Sequence, residues 1–306
     1  MNKSVVTILT VFFFSMASQA QSFRMNLYPE GLVPNYRDAG EKEIRDTTDA
    51  VRISKVQVPD IAVFLPARQH MTGEAVIICP GGGYRILAYD KEGEDIAKFW
   101  NSKGIAAIVL KYRLPVFDAQ VIPHKSPLMD AQRAMRMVRY YAADWGIDPE
   151  LIGIMGFSAG GHLASSLSTH FDAGNPGSDD PVERVSCRPD FSILVYPVIS
   201  FTGEFQHSGS RRNLVGDDEQ LMRYYSSEMQ VTGKTPPAFL LHSADDKAVP
   251  AENSMVYYRA LLENGVPGEL HIYPHGGHGY SLAIGRGHLS GWPERAYEWV
   301  KSLQDH

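Results

Sequence analysis

Residues 151–164 read LIGIMGFSAGGHLA, and they place a buried strand directly before a helix. An unbroken apolar run, Leu151–Met155, meets the pentapeptide Gly156-Phe157-Ser158-Ala159-Gly160, and the chain continues into an apolar helical stretch, Ala159–Thr169. A short apolar run bounded by turn residues suits a strand buried on both faces. The pentapeptide fits G-x-S-x-G, which by itself is short enough to arise by chance. Its setting between strand and helix gives it content. A serine at so tight a tip needs neighbours two residues away that carry almost no side chain. The alternative is an ordinary glycine-rich turn from strand to helix.

The same alternation extends in both directions. Ala75–Cys79, Ala106–Leu110, Ser192–Tyr196, Ala238–His242 and Leu270–Tyr273 read as strands. Glu94–Ser102 reads as a helix with Ile96, Phe99 and Trp100 on one side. Over 128–142 the apolar positions Leu128, Ala131, Met135, Val138 and Ala142 recur at helical steps. Ala251–Asn264 and Pro293–Leu303 complete the helices. The order predicts an α/β fold, a mostly parallel central sheet with helices on both faces. Ile53–Val58 and Ala62–Leu65 read as a hairpin turning at Pro59-Asp60. Residues 21–50 are polar and read as an irregular N-terminal arm. Residues 51–306 read as one domain, in which 198–236 lacks periodicity and is expected to form a small loop-rich cap.

Composition narrows the classes. With 306 residues, 44% hydrophobic and 21% charged, the chain is long enough for a core without staples. A net charge of −6 speaks against nucleic acid as partner, since phosphates reward a basic surface. Two cysteines, Cys79 and Cys187, exclude a disulfide scaffold; an export compartment would permit a bridge between them, but Cys79 ends a strongly apolar strand, so they read as free buried thiols. Residues 1–20 read as a signal peptide: Lys3, then the apolar run Val5–Phe14, then Ser18 and Ala20 before the expected cleavage. That run is too short for a membrane span, which needs about 20 apolar residues. The expectation is an exported product, periplasmic or extracellular, with no membrane span.

A serine hydroxyl is a weak nucleophile and needs a base, and the base an orienting carboxylate. Both are expected in loops after later strands, in the order Ser, Asp, His. Asp245 and Asp246 follow the strand at 238–242; His275 and His278 follow the strand at 270–273. A metal reading of His275-x-x-His278, with His271 and His288 nearby, lacks a Cys or carboxylate close in sequence and has glycines where helical spacing is required. After Cys79, Pro80-Gly81-Gly82-Gly83-Tyr84 offers backbone N–H groups free to approach an oxyanion, and Ala159 N–H is the second source. No phosphate-cradling glycine motif fits there.

Together these segments resemble the α/β-hydrolases of the bacterial acetyl-esterase group, including acetylxylan-esterase-like enzymes. The likeness rests on PGGGY (80–84), DKEG (90–93), KYRL (111–114), GFSAGGHLA (156–164), YPV (196–198), TPPAFLLHSADD (235–246), VP (249–250) and GGHGY (276–280). It spans about residues 72–303. The resemblance implies Ser158 as nucleophile, His278 as base, Asp246 as acid, and Gly82, Gly83 and Ala159 as oxyanion donors. Many lipase-like relatives carry His before the three glycines, where this chain has Pro80, so the donors among Gly82, Gly83 and Tyr84 stay open. It further implies hydrolysis of acetyl esters on a plant polysaccharide such as xylan, with no metal or organic cofactor and an acetylated carbohydrate as partner. Tyr84, Tyr112 and Tyr280 are candidate sugar-stacking residues, with packing or backbone hydrogen bonding as their other reading. A lipase, a serine peptidase and a non-catalytic carbohydrate-binding relative are the competing readings. The last should have lost a triad member, and none is lost.

Overall fold

The computed structural model describes residues 21–304. The expected signal peptide, residues 1–20, lies outside them. The strands are β1 (Gln21–Asn26), β2 (Ile44–Asp46), β3 (Arg52–Ser54), β4 (Asp60–Leu65), β5 (Ala75–Cys79), β6 (Leu87–Ala88), β7 (Ala106–Lys111), β8 (Ile152–Phe157), β9 (Ser192–Val195), β10 (Ala238–Ser243) and β11 (Gly268–Tyr273). The helices are α1 (Asp95–Ser102), α2 (Ser126–Tyr140), α3 (Ala142–Trp145), α4 (Ala159–Thr169), α5 (Ser208–Leu214), α6 (Glu219–Tyr225), α7 (Glu252–Glu263) and α8 (Trp292–Ser302).

Eight strands form one sheet in the order β1-β4-β7-β5-β8-β9-β10-β11. From β7 to β11 all pairings are parallel. β1 and β4 add an antiparallel edge. The mostly parallel sheet expected from the alternation is present. Every residue of β5, β7, β8, β9 and β10 is buried, which is why these segments read as unbroken apolar runs. Helices cover both faces. On one, Trp100 of α1 donates its indole N–H to Met155 of β8 at 3.3 Å, and Trp299 of α8 packs on Phe239 of β10. On the other, α2 and α4 pack together and α7 meets β10 through Ser254 and His242.

Three expectations change. The hairpin is absent: β3 pairs with β2 and β6 in a separate three-stranded sheet, whereas β4 lies between β1 and β7. Segments next to each other in sequence are here pulled apart by partners far along the chain. The arm at 21–50 is not wholly irregular, since Gln21–Asn26 pairs with β4 from Gln21↔Leu65 to Asn26↔Asp60. The 198–236 stretch holds two short helices, α5 and α6, each begun by a side-chain cap, His207 for α5 and Asp218 for α6. Cys79 and Cys187 are free and buried.

Candidate active site

Parallel strands deliver their C-terminal ends to one edge of the sheet, and four of the five adjacent strands from β5 to β11 lead into the candidate triad and glycine loop. β5 runs into the glycine loop, β8 into Ser158, β10 into Asp246, and β11 into the loop bearing His278. Ser158 sits at φ 52° and ψ −119°, in a region that non-glycine residues rarely occupy and that functional sites tend to stabilise. Its two glycine neighbours are there for space. A Cβ on Gly156 would strike the carbonyl of Gly160, and one on Gly160 would strike the carbonyls of Cys79 and Pro80. The elbow, α4 and the end of β5 are therefore in backbone contact.

Ser158 Oγ lies 2.9 Å from His278 Nε2, and His278 Nδ1 lies 2.6 Å from Asp246 Oδ2. With Nδ1–H donating to the carboxylate, Nε2 is left to accept the serine proton. Asp246 is buried, and its Oδ1 accepts the N–H groups of Ala248 and Val249, both at 2.9 Å. Burial pushes this carboxyl up, but hydrogen bonds from His242, His278 and the Val249 N–H outweigh it and hold it well below the usual carboxylate range. Asp245, its neighbour, is exposed and points elsewhere. It accepts the N–H groups of Gly276 and Gly277 at 2.9 and 2.8 Å and so fixes the histidine loop rather than capping α7. His275 faces Asp245 at 3.5 Å, away from His278.

The glycine loop lies against the elbow. A Cβ on Gly81 would come within 3.0 Å of Ser158 Cβ. Gly81 N–H donates to Glu92 Oε2 at 2.8 Å, so it is engaged. The N–H groups of Gly82, Gly83, Tyr84 and Ala159 donate to nothing among the described residues. Gly82 (φ 133°) and Gly83 (φ 64°) take conformations that favour glycine, and the Gly82 carbonyl closes the turn by accepting from Arg85 and Ile86 N–H at 3.0 and 3.1 Å.

The three tyrosines are not placed for stacking. Tyr84, Tyr112 and Tyr280 are all buried. Tyr84 O–H meets His162 Nδ1 at 2.8 Å, Tyr112 O–H donates to the Pro80 carbonyl at 2.7 Å, and Tyr280 packs edge-on against Tyr196. They hold the loops from behind, because each ring fills core rather than facing solvent. His162 is held neutral, its pKa pushed down to about 3 by burial.

Sequence reasoning missed Glu92, Tyr196 and His242. Glu92 lies on the π-helical turn Asp90–Glu94, a backbone form common at functional sites. It is buried and bridges Gly81 N–H and the Tyr196 hydroxyl, 2.8 Å from Oε1. Burial pushes its carboxyl up, against the pull of those two hydrogen bonds. Tyr196 packs edge-on against His278 at 4.9 Å, and its hydroxyl accepts Ser281 N–H at 3.1 Å. His242 Nε2 is 3.4 Å from Asp246 Oδ2 and 2.8 Å from the Val249 carbonyl. Glu92 and Tyr196 fall within DKEG and YPV, so their segments were visible while their partnership was not.

The family model described as BD-FAE matches residues 61–261. Among curated proteins, the chain is 36% identical to endo-1,4-beta-xylanase B of Butyrivibrio fibrisolvens, over 81% of this chain and 38% of that protein. It is 37% identical to an acetylxylan esterase of Xylanibacter ruminicola, over 78% of this chain and 47% of that one. The chain thus spans less than half the length of these curated relatives. Among solved structures, an acetyl ester-xyloside bifunctional hydrolase from Caldicellulosiruptor lactoaceticus is 41% identical, with a TM-score of 0.81 over 92% of this chain and 96% of that one. A carboxylesterase from Lactobacillus plantarum, 25% identical, gives a TM-score of 0.68 over 86% and 97%.

Proposed function

The chain belongs to the BD-FAE family, and from that premise we propose that it is an exported serine carboxylesterase, periplasmic or extracellular, that removes acetyl groups from a xylan-type polysaccharide. The observation that carries the proposal is the continuous contact from Ser158 through His278 to Asp246, at 2.9 and 2.6 Å, beside a glycine loop with unengaged N–H groups. In this reading His278 Nε2 takes the Ser158 proton as Oγ attacks the ester carbonyl carbon. The carbonyl oxygen becomes an oxyanion facing the N–H groups of Ala159, Gly82 and Gly83. Asp246 orients the imidazole and stabilises its charged form. The C–O bond to the sugar then breaks, and the proton on His278 passes to the departing sugar oxygen. Water, deprotonated by His278, attacks the acyl-serine, and acetate leaves as the proton returns to Ser158.

Export is supported by the leader pattern of residues 1–20 alone. The acetyl and xylan parts are supported by the names of the xylanase, the acetylxylan esterase and the acetyl ester-xyloside hydrolase. The test is release of acetate from acetylated xylan, run beside a series of acetate, butyrate and octanoate aryl esters. The proposal expects release from the polymer and rates that fall with acyl length. Rates that rise with length would instead favour a lipase, since each methylene in a fitting pocket is worth about 1–3 kcal/mol.

A further inference from the structure

A groove of about 720 Å³ opens beside the glycine loop, lined among others by Lys55, Arg85, Phe117, Arg212 and Asn213. It is bonded to the proposed oxyanion site. Arg85 N–H donates to the Gly82 carbonyl at 3.0 Å, and Asn213 Nδ2 donates to the Gly83 carbonyl at 2.7 Å. Every charged residue that lines it is cationic, although the chain carries a net charge of −6. Lys55 is paired with Glu41 at 3.1 Å. Arg85 and Arg212 are exposed, and among the described residues neither guanidinium has an ion-pair or hydrogen-bond partner. They come from segments far apart in sequence, one on the glycine loop and one on α5, and the fold brings them to one concavity. Phe117, half-buried, and the exposed Val116 add apolar surface.

A concave site lined by one sign of charge concentrates ligands of the other sign. Guanidinium groups suit carboxylates in particular, because the planar fork pairs with both oxygens. An apolar surface beside them suits the C–H face of a sugar ring. We propose that this groove is a subsite for a carboxylate-bearing sugar, a uronic acid unit carried on the same polysaccharide chain whose acetyl ester sits at Ser158. The proposal rests on the esterase reading and refines its substrate: acetylated units near an acidic branch are the preferred ones. Arg85 and Arg212 hold the carboxylate, and the short distance along the loop from Arg85 to Gly82 sets which neighbouring ester reaches the serine.

The test uses the full chain and three substrates: an aryl acetate, an acetylated xylan bearing uronic acid side groups, and the same polymer with its carboxyls reduced to alcohols. The wild type should have a kcat/KM about tenfold higher on the acidic polymer than on the reduced one, the size expected of one charge-assisted contact. That preference should fade as salt is raised. The Arg85→Gln/Arg212→Gln double variant should lose it, and Arg85→Lys/Arg212→Lys should restore part of it. Free glucuronate and sulfate, added as competitors, separate a carboxylate subsite from general anion binding: glucuronate should compete and sulfate should not. Equal rates on the two polymers, with aryl acetate cleaved normally, would overturn the subsite and leave the esterase standing. No aryl acetate cleavage by a folded chain would remove the esterase reading and the subsite with it.

Discussion

Two aspartates stand side by side after β10, and their carboxylates do different work. Asp246 reaches His278, and Asp245 reaches the N–H groups of Gly276 and Gly277. Asp246→Asn leaves the imidazole without its orienting charge and favours the wrong tautomer, so kcat on an aryl acetate should fall by up to about 10⁴. Asp245→Asn keeps an accepting oxygen for the N–H groups of Gly276 and Gly277 and should cost about tenfold or less, as exposed changes usually do. Glu92 is the third carboxyl to test. Glu92→Gln turns an acceptor into a donor facing either Gly81 N–H or a Tyr196 hydroxyl that already accepts from Ser281. A buried polar group left unmatched costs about 1–3 kcal/mol, so kcat should drop about ten- to a hundredfold in a folded protein. Ser158, Asp246 and His278 were legible because each follows an apolar strand with glycine or proline marking the loop. Glu92 was not, because what gives it meaning is a contact with Tyr196, 104 positions away.

At the level of elements, the elbow that bears Ser158 is a packing device. β8 meets α4 at Gly156, and α4 meets the end of β5 at Gly160, so closely that a methyl group meets backbone rather than a movable side chain. Gly156→Ala should therefore destabilise the protein by about 1–3 kcal/mol, as overpacking does, and lower activity by shifting Ser158. Urea midpoints measured beside aryl acetate rates check both effects. The strands and helices that surround this elbow were readable because burial on both faces of the sheet writes long apolar runs into the sequence. The short strands β2, β3 and β6 have no such run, and their pairing spans Ile44 to Ala88. Without those distant partners, residues 53–65 read as a local hairpin. α5 and α6 escaped notice for a similar reason, since seven residues are too few to show a helical period clearly.

Across the whole molecule, one buried ion pair ties the N-terminal segment to the sheet. Arg113, just past β7, makes four contacts with Asp130 of α2, three from its guanidinium at 2.7–3.1 Å and one from its backbone N–H, and both side chains are fully buried. The same guanidinium donates to the Pro34 carbonyl at 2.5 Å, and Tyr28 O–H reaches Asp130 at 3.3 Å. Asp130→Ala would strand a buried cation and should cost about 3–5 kcal/mol by denaturant unfolding. Acid provides a second global test. The carboxyl of Asp246 is held below its unfolded value, so its contribution is fully present above the usual carboxylate range and is lost as pH falls toward the folded value. The fall in stability on acidification from pH ~5 to ~3, through the unfolded carboxylate range, should be shallower in Asp246→Asn than in the wild type. An equal slope would mean that Asp246 is not held in its charged form.

Whether Ser158 is the nucleophile of a serine esterase can be read by covalent capture. The protein is treated with an aryl-leaving-group phosphonate, digested, and its peptides weighed. The expected result is one stoichiometric phosphonyl adduct on the peptide containing Ser158, loss of aryl acetate hydrolysis in step with labelling, and neither adduct nor appreciable hydrolysis in folded Ser158→Ala. Full inhibition with the adduct on another residue, or hydrolysis that survives in Ser158→Ala within tenfold of the wild type, would contradict it.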